Sequence, residues 1–455
     1  MSNIFRLDTL IVLLYLTTVM SLGLYVSRST SDGSKKYFFA NNNVSWFIVA
    51  LSLFATGITG NQVLGIVGMV SMDNLIPGQF GAIAALAILM LGWIFAPEYL
   101  KEKIKTVPEY LEKKYDRSSR KLFAVFSIIF YFFIRLSITL IAAGLILSRL
   151  LSIDSFTSSQ IVVIFTGIYV IIGGFSAVVY TQAVQSFFIL IAVTAFAILG
   201  IYQVGDFGLI WTKLTVTSNE ILKPLLFSET VEILSFLGGL IIGIWFWCTD
   251  QFIVQRMISV RNEDHGRRAT VLSGFLHIIL MIIIFIIVIS AGVLYSDRLL
   301  YLAFSQMFLK MTMQTGLNGL ILTGTLAILM ASLASLFNSI ATIIVYDFSH
   351  QKNQTNSERK LVLKGRLITL AAVIFSILWI PIIRIAPEAL LSILIKLPVF
   401  CSPAAAAIFL YARIHDKYGY SGAFPIILIG TIAGAFYTLL IYLKDNSQMD
   451  SELIN

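Results

Sequence analysis

Charge is scarce in this chain, and the scarcity sets its class. Only 12% of its 455 residues are charged, while 58% are hydrophobic and the mean hydropathy is +0.89. That balance excludes a string of soluble domains and leads to the expectation of a polytopic membrane protein. Cysteine is nearly missing too: Cys248 and Cys401 both lie in apolar stretches, so neither a disulfide framework nor a Cys-x-x-Cys metal site is offered. No paired carboxylates, His/Cys cluster or phosphate loop falls at reachable spacing, which argues against an enzyme. A cleavable leader is not expected. The first apolar segment, about Asp8 to Val26, has no basic region ahead of it and no small-residue cleavage site after it, and it is expected to stay as a membrane helix.

What the chain has is apolar runs of spanning length, since ~20 such residues cross the hydrocarbon core. Twelve are expected, at about 8–27, 45–71, 76–98, 121–149, 159–179, 181–204, 232–255, 268–295, 317–346, 365–386, 388–412 and 420–443. Basic residues near helix ends are retained on the cytoplasmic side. Of the 32 Lys and Arg, 22 fall in five alternate connections: Arg28 to Lys36, Lys101 to Lys121, Arg256 to Arg268, Lys352 to Arg366, and Arg413 with Lys417. Eight fall on the opposite side, so both termini are expected outside the cytoplasm of a cell membrane, taken to be a bacterial inner membrane. The net charge of +8 then expresses topology rather than nucleic-acid binding. Arg135 and Lys396 are left over, inside the fourth and eleventh segments.

Glycine marks two of these segments as broken. The first runs Ser52-Leu-Phe-Ala-Thr-Gly-Ile-Thr-Gly-Asn-Gln-Val-Leu-Gly-Ile-Val-Gly68, with Thr59, Asn61 and Gln62 at its centre; the second runs Gly238-Gly-Leu-Ile-Ile-Gly-Ile-Trp-Phe-Trp-Cys-Thr-Asp250. Irregular backbone at bilayer depth survives only where protein or a wet cavity satisfies it. The two segments open two blocks of five crossings, and an odd number of crossings inverts the second block relative to the first. Inverted repeats with broken first members place a solute at the midplane between them. The expected division is 1–44, an extra helix and loop; 45–204, the first repeat; 205–231, an external loop; 232–413, the second repeat; and 414–455, a final helix and external tail.

Four segments resemble the sodium:solute symporter family, that of the sodium-glucose cotransporters, with a leucine-transporter-type 5+5 inverted-repeat core. They are Ser52–Gly68, Thr106-Val-Pro-Glu-Tyr-Leu-Glu-Lys-Lys-Tyr-Asp116, Phe246-Trp-Cys-Thr-Asp-Gln-Phe-Ile-Val-Gln-Arg256 and Ala331-Ser-Leu-Ala-Ser-Leu-Phe-Asn-Ser-Ile-Ala-Thr-Ile-Ile-Val-Tyr-Asp347. The resemblance implies a coupling sodium ion between the second and ninth helices. Its carbonyl ligands map to Ala55, Ile58 and Ile328, and its hydroxyl ligand to Ser332, with Ser335 a further candidate and Ala331 in place of a second serine. Unwound carbonyls supply hard oxygens without fixed charge. The alternative is that both serines bond back to their own helix. A second sodium site seen in some members needs an aspartate where Gln182 follows Tyr180-Thr181, and serines where Ala331 and Ala334 stand, so it is expected to be absent.

Arg135 is the sharpest candidate for solute contact. A charge at a helix centre costs at least ~2.5–3.5 kcal/mol and calls for a partner. Arg135-Leu-Ser-Ile-Thr-Leu resembles the helix that, in sodium-coupled sialic acid transporters, holds the sialate carboxylate, and a planar guanidinium fits that group. The alternative is an ion pair with Asp250. Lys396, beside Ile395 at a sugar-binding position, would add a second cation or snorkel outward. His277 stands where sugar carriers have a lysine, and otherwise is structural. Gln62 is retained from the sugar set, while Gln79 offers an amide where galactose carriers use glutamate, and Gly243 replaces an asparagine. Trp247, Phe246, Asp250 and Gln251 are candidates for gating, with packing the alternative for the aromatics.

The expectation is therefore a sodium-coupled symporter importing a small carboxylate-bearing solute, such as an acidic sugar or monocarboxylate. The alternatives are a neutral-sugar symporter, a weakly coupled facilitator or sensor, and a proton-driven carrier. Solute, sodium and the bilayer are the expected partners, and nucleic acid is not.

Overall fold

Backbone N–H and C=O groups have no water to bond in hydrocarbon, so apolar runs of this length must close their hydrogen bonds within helices. A computed structural model describes residues 2–28, 33–59, 77–206, 208–209, 212, 230–295, 306–307, 316–349, 357–385, 388–414 and 423–454. Among them the regular structure is helical, apart from one isolated bridge pairing Val44 with Val260. Among the described residues eight helices are long and apolar enough to span a membrane, or nine spans if one sharply bent pair is counted as a unit.

The helices are α1 (Ser2–Ser27), α2 (Ser34–Phe39), α3 (Trp46–Gly57), α4 (Pro77–Met90), α5 (Ala96–Lys101), α6 (Val107–Lys114), α7 (Arg117–Ile129), α8 (Leu136–Leu151) and α9 (Ser155–Val204). After them come α10 (Thr230–Gly243), α11 (Gln251–Ile258), α12 (Glu263–Leu294), α13 (Leu317–Ile343), α14 (Glu358–Ile385), α15 (Glu388–Ile414) and α16 (Ala423–Ile454). Wide π-type turns join α4 to α5, α7 to α8 and follow α10 and α13. Such turns are rare and gather at functional sites. Side-chain caps fix several starts. Thr106 accepts from Glu109 N, Asp116 from Ser119 N, Asp154 from Phe156 N and Thr157 N, and Asn262 from His265 N; each such cap is worth ~1 kcal/mol.

The core centres on α13, which is buried almost throughout and packs against α9, α1 and α3. Its small residues, among them Gly324, Ala327, Ala331 and Ala334, let neighbouring backbones approach closely, as packing within lipid requires.

Three breaks shape the functional region. Helix α3 stops at Gly57, and Ile58 is extended at φ −87°, ψ 110°; the first break is where glycine suggested it. The second falls within the expected segment 238–250 but at its far end, because α10 runs unbroken through Gly238 and Gly239. The chain turns instead at Thr249 and Asp250, where the axis bends by 54° into α11. The fifth and sixth expected segments divide at Gly174 rather than near residue 180. There φ is +56°, and a side chain would run into the Tyr37 carbonyl.

Candidate functional site

The first part of the site lies where α3 ends against α13. Because α3 stops, the carbonyls of its last turn have no following helical N–H. Ser332, on the facing side of α13, donates its hydroxyl to the Ile58 carbonyl at 3.4 Å. Ala55, Ile58, Ile328 and Ser332 are all buried on these two elements. Thr56 Oγ1, on the same final turn, is buried without a partner. Two of the residues singled out in the sequence, Ile58 and Ser332, thus touch, and both are buried.

Ser335, one turn further along α13, faces a different way. It donates back to Ala331 O at 2.9 Å and accepts from Gln182 Nε2 at 2.7 Å. Gln182 holds Ala331 O as well, at 2.9 Å, and takes the Ser52 hydroxyl at 2.7 Å. Where an aspartate was the criterion for a second cation, a neutral amide spans α3, α9 and α13.

Arg135 sits at the end of the π-turn leading into α8, and its NH2 lies 2.5 Å from Asp250 Oδ2, with side-chain exposures of 12% and 4%. The ion pair, weighed as the alternative to solute contact, is thus formed in this conformation. Asp250 reaches Arg135 because the break at Thr249–Asp250 brings it into the bundle rather than leaving it at a helix end. The carboxylate is also bonded by Tyr131 OH and by Phe252 N, the latter at 2.9 Å as the cap of α11. The guanidinium is enclosed by rings, Phe252 at 4.6 Å, Phe246 at 4.8 Å and Phe130 at 5.3 Å. Its other nitrogen, NH1, is buried without a partner. A bidentate ligand therefore finds half of the fork unused.

A chain of ring contacts leads onward. Phe246 meets Trp247 edge-on at 5.1 Å, and Trp247 meets His277 at 5.0 Å. His277 Nδ1 lies 2.8 Å from Ser273 O, so Nδ1 carries the proton and Nε2 is a free acceptor, buried and unpartnered. It points at the break of α3: a side chain added at Gly57 would come within 2.5 Å of Nε2 and would overlap Trp247. Thr59 follows the break, half-buried. Gln62 lies outside the described residues, as do the side chains of Gln79 and Lys396.

Gln251 works at the other face of the bend. Its Oε1 accepts from Val107 N at 2.7 Å and ties α11 to the start of α6. Beside it, Asp347 accepts from Thr106 Oγ1 at 2.8 Å and from Arg120 Nε at 2.7 Å, while Arg120 also reaches the Tyr346 carbonyl and pairs with Glu112. These contacts fasten α6 and α7 to the end of α13.

Three functional features escaped the sequence reading. Arg256, counted there among loop charges, is 1% exposed and lies inside the bundle. Ser52, which accepts from Arg256, and Tyr131, which donates to Asp250, carried no signal apart from their neighbours. An arginine within the short helix Gln251–Ile258, with apolar residues after it, was the available hint.

Residues 37–430 match the sodium:solute symporter family. The sodium/glucose cotransporter 1 of Oryctolagus cuniculus is 27% identical over 94% of this chain and 71% of its own length. The human sodium/myo-inositol cotransporter is 28% identical over 96% of this chain and 67% of its own. A solved structure of a Na+-coupled sialic acid symporter, substrate-bound and outward-open, superposes with a TM-score of 0.79 over 96% of this chain and 97% of that one, at 19% identity, a likeness of fold. The chain belongs to the sodium:solute symporter family, whose members are membrane transporters coupled to sodium rather than enzymes.

Proposed function

We propose that this protein imports a small carboxylate-bearing solute together with one sodium ion. The observation that carries the solute class is the Arg135 guanidinium, buried, ion-paired on one side to Asp250 and unpartnered at NH1. A buried donor left unsatisfied costs ~1–3 kcal/mol, which a carboxylate arriving between Arg135 and the rings of Phe246 and Phe252 would recover. Arg135 then exchanges Asp250 for solute, and Asp250, released, keeps Tyr131 and the cap of α11. His277 Nε2 accepts a solute hydroxyl. Gln62, Thr59, Gln79 and Lys396 complete the proposed solute set, with Trp247, Phe246, Asp250 and Gln251 as gate.

Sodium binds at Ala55, Ile58, Ile328 and Ser332, and its presence favours the solute-ready state. Linkage requires each ligand to raise the other's affinity equally. A monoanion and one sodium move without net charge. In this reading twelve helices form two inverted blocks of five, 45–204 and 232–413, flanked by one helix at each end, in a bacterial inner membrane with both termini outside.

Uptake into proteoliposomes tests the proposal. Labelled-solute counterflow should need sodium inside and out, acidic sugars or monocarboxylates should compete, and Arg135→Lys should lower uptake at least ~10-fold, because charge is kept while the bidentate fork is lost. Full competition by neutral hexoses and none by acids would overturn the solute class. That neutral-sugar reading has its own support in the sodium/glucose and sodium/myo-inositol cotransporters matched above, and in the free acceptor on His277.

A further inference from the structure

A groove of about 610 Å³ opens on the outside of the bundle, where the start of α3, the π-turn between α4 and α5 and the first turns of α12 meet. Two contacts build it. His265 Nδ1 accepts from Trp46 N at 3.2 Å and fixes the start of α3 to α12, and Gly92 lets the π-turn come so close to α12 that a side chain there would overlap Thr270. The next residue, Trp93, thereby lies beside Arg267, whose guanidinium is 5.1 Å from its ring. The groove is separate from the solute and sodium residues described above.

Asp264, Arg267, Arg268, Val271, Leu272 and Phe275 line the groove at spacings of three and four residues, so they form one stripe along α12. Polarity changes once along it. The charged residues fill the beginning of the stripe and the apolar ones the remainder, over about 17 Å in all. Val271 and Phe275 are 50% and 57% exposed, and Ile278 and Ile282 continue the apolar line. A charged head followed by an apolar tail, in this order along a helix entering the membrane, is the pattern of a phospholipid rather than of a water-soluble ligand. Trp46 and Trp93 flank the groove, as aromatic side chains do at a membrane–water boundary.

The charges are of both signs. Arg267 Nε is buried without a partner, and its NH2 reaches Glu263 only at 3.5 Å; Arg268 is exposed and, among the described residues, unpaired. Two neighbouring guanidinium groups suit a phosphate. Asp264 lies one turn before Arg268 and makes no ion pair with it, and its carboxylate opposes a purely anionic head. A phosphate with an ammonium two carbons away satisfies all three side chains. Choline fits less well, because its trimethylammonium has no N–H for the carboxylate and a face of Trp93 is already taken by Arg267. We propose that this groove binds an aminophospholipid of the phosphatidylethanolamine class, with the phosphate on Arg267 and Arg268, the ammonium on Asp264 and an acyl chain along Val271 and Phe275. The lipid would clamp α3, which ends at the Ile58 break, to α12, which carries His277.

The test is quenching of tryptophan fluorescence in full-length protein in proteoliposomes, by lipids with the same brominated acyl chains and a phosphoethanolamine, phosphocholine or phosphoglycerol head. The unaltered protein should favour the ethanolamine head over the other two by about 2- to 5-fold, the worth of an ion pair at an exposed carboxylate. Asp264→Asn, at an exposed position where folding is not at stake, should bring the ethanolamine head down to the level of choline. Arg267→Gln with Arg268→Gln should weaken quenching by all three. Trp46→Phe with Trp93→Phe removes the local reporters, and the dependence on head group should vanish with them; its survival would place the selectivity elsewhere on the chain and overturn the proposal. Equal quenching by the three heads in the unaltered protein overturns it too. So does a preference for the glycerol or choline head that Asp264→Asn leaves unchanged, which would mark an acidic-lipid or choline-lipid site instead.

Discussion

Removing the Ser332 hydroxyl should raise the sodium concentration for half-maximal uptake about 5- to 10-fold, the worth of ~1–1.5 kcal/mol for one hydrogen-bonding oxygen. Ser332→Ala should leave uptake at saturating sodium little changed, because the hydroxyl reaches Ile58 O and not the rings around Arg135. Titration of sodium at fixed solute measures it, and an unchanged half-saturation point rules Ser332 out. Gly57 offers a second test at this scale. A methyl group there would overlap Trp247 and crowd His277, so Gly57→Ala is expected to lose ~1–3 kcal/mol of stability through overpacking and to impair uptake, read as a lowered melting temperature together with a slower initial rate. Single residues were legible in the sequence where chemistry was out of place: Arg135 stood out because a charge inside an apolar run needs a reason. Its partner Asp250 was named only as the alternative, and it becomes a neighbour through a bend at the far end of the broken segment 238–250. Arg256 was misread for the converse reason. At the end of an apolar run a charge looks solvated, and only the approach of three other helices buries it.

Elements were read well where length and hydropathy decide, and less well where backbone geometry does. Helix α3 ends at the glycine that the sequence offered, yet α10 passes straight through Gly238 and Gly239 and gives way at Thr249 and Asp250 instead. Glycine permits a break without requiring one. Asp250 makes this break by capping the next helix, a role that composition alone does not announce. At Gly174 the requirement is real, for φ is +56° and the Tyr37 carbonyl lies against it. Gly174→Ala should therefore destabilise by more than ~1 kcal/mol, as expected for a side chain forced to positive φ, and thermal melting checks it. The fastening of α6 and α7 to α13 is testable in the same way. Asp347 is buried between Thr106 and Arg120, and Asp347→Asn strips Arg120 of one buried partner, at a cost of up to ~3–5 kcal/mol. The expected readouts are a lower melting temperature and faster proteolytic cutting between residues 101 and 121. Melting and cutting like those of the unaltered protein would mean that Glu112 alone holds Arg120.

For the whole molecule, scarcity of charge was sufficient to indicate a membrane bundle, because no other environment accommodates so much apolar surface. The proposed inversion of the two halves has no single residue to carry it, since it is a property of connections and their sidedness. Sidedness rests on the uneven distribution of lysine and arginine. Arg256 has left the count for the interior, and the 21 residues remaining still outweigh the eight opposite. In the proposed topology, retention of basic residues in the cytoplasm would put the 101–121 segment inside and both termini outside. Cysteine labelling can test this cleanly, because Cys248 and Cys401 are both buried and give little background. Ser118, exposed at the start of α7, is a better reporter than Lys114, which is 8% exposed and paired with Glu98. In intact cells an impermeant maleimide should fail to label Ser118→Cys and should label a cysteine added after Asn455; permeabilisation should open Ser118→Cys to the reagent. The reverse pattern would turn the molecule over in the membrane. It would also reverse the side from which solute reaches Arg135, so an importer on the present reading would have to be an exporter or run against the usual sodium gradient.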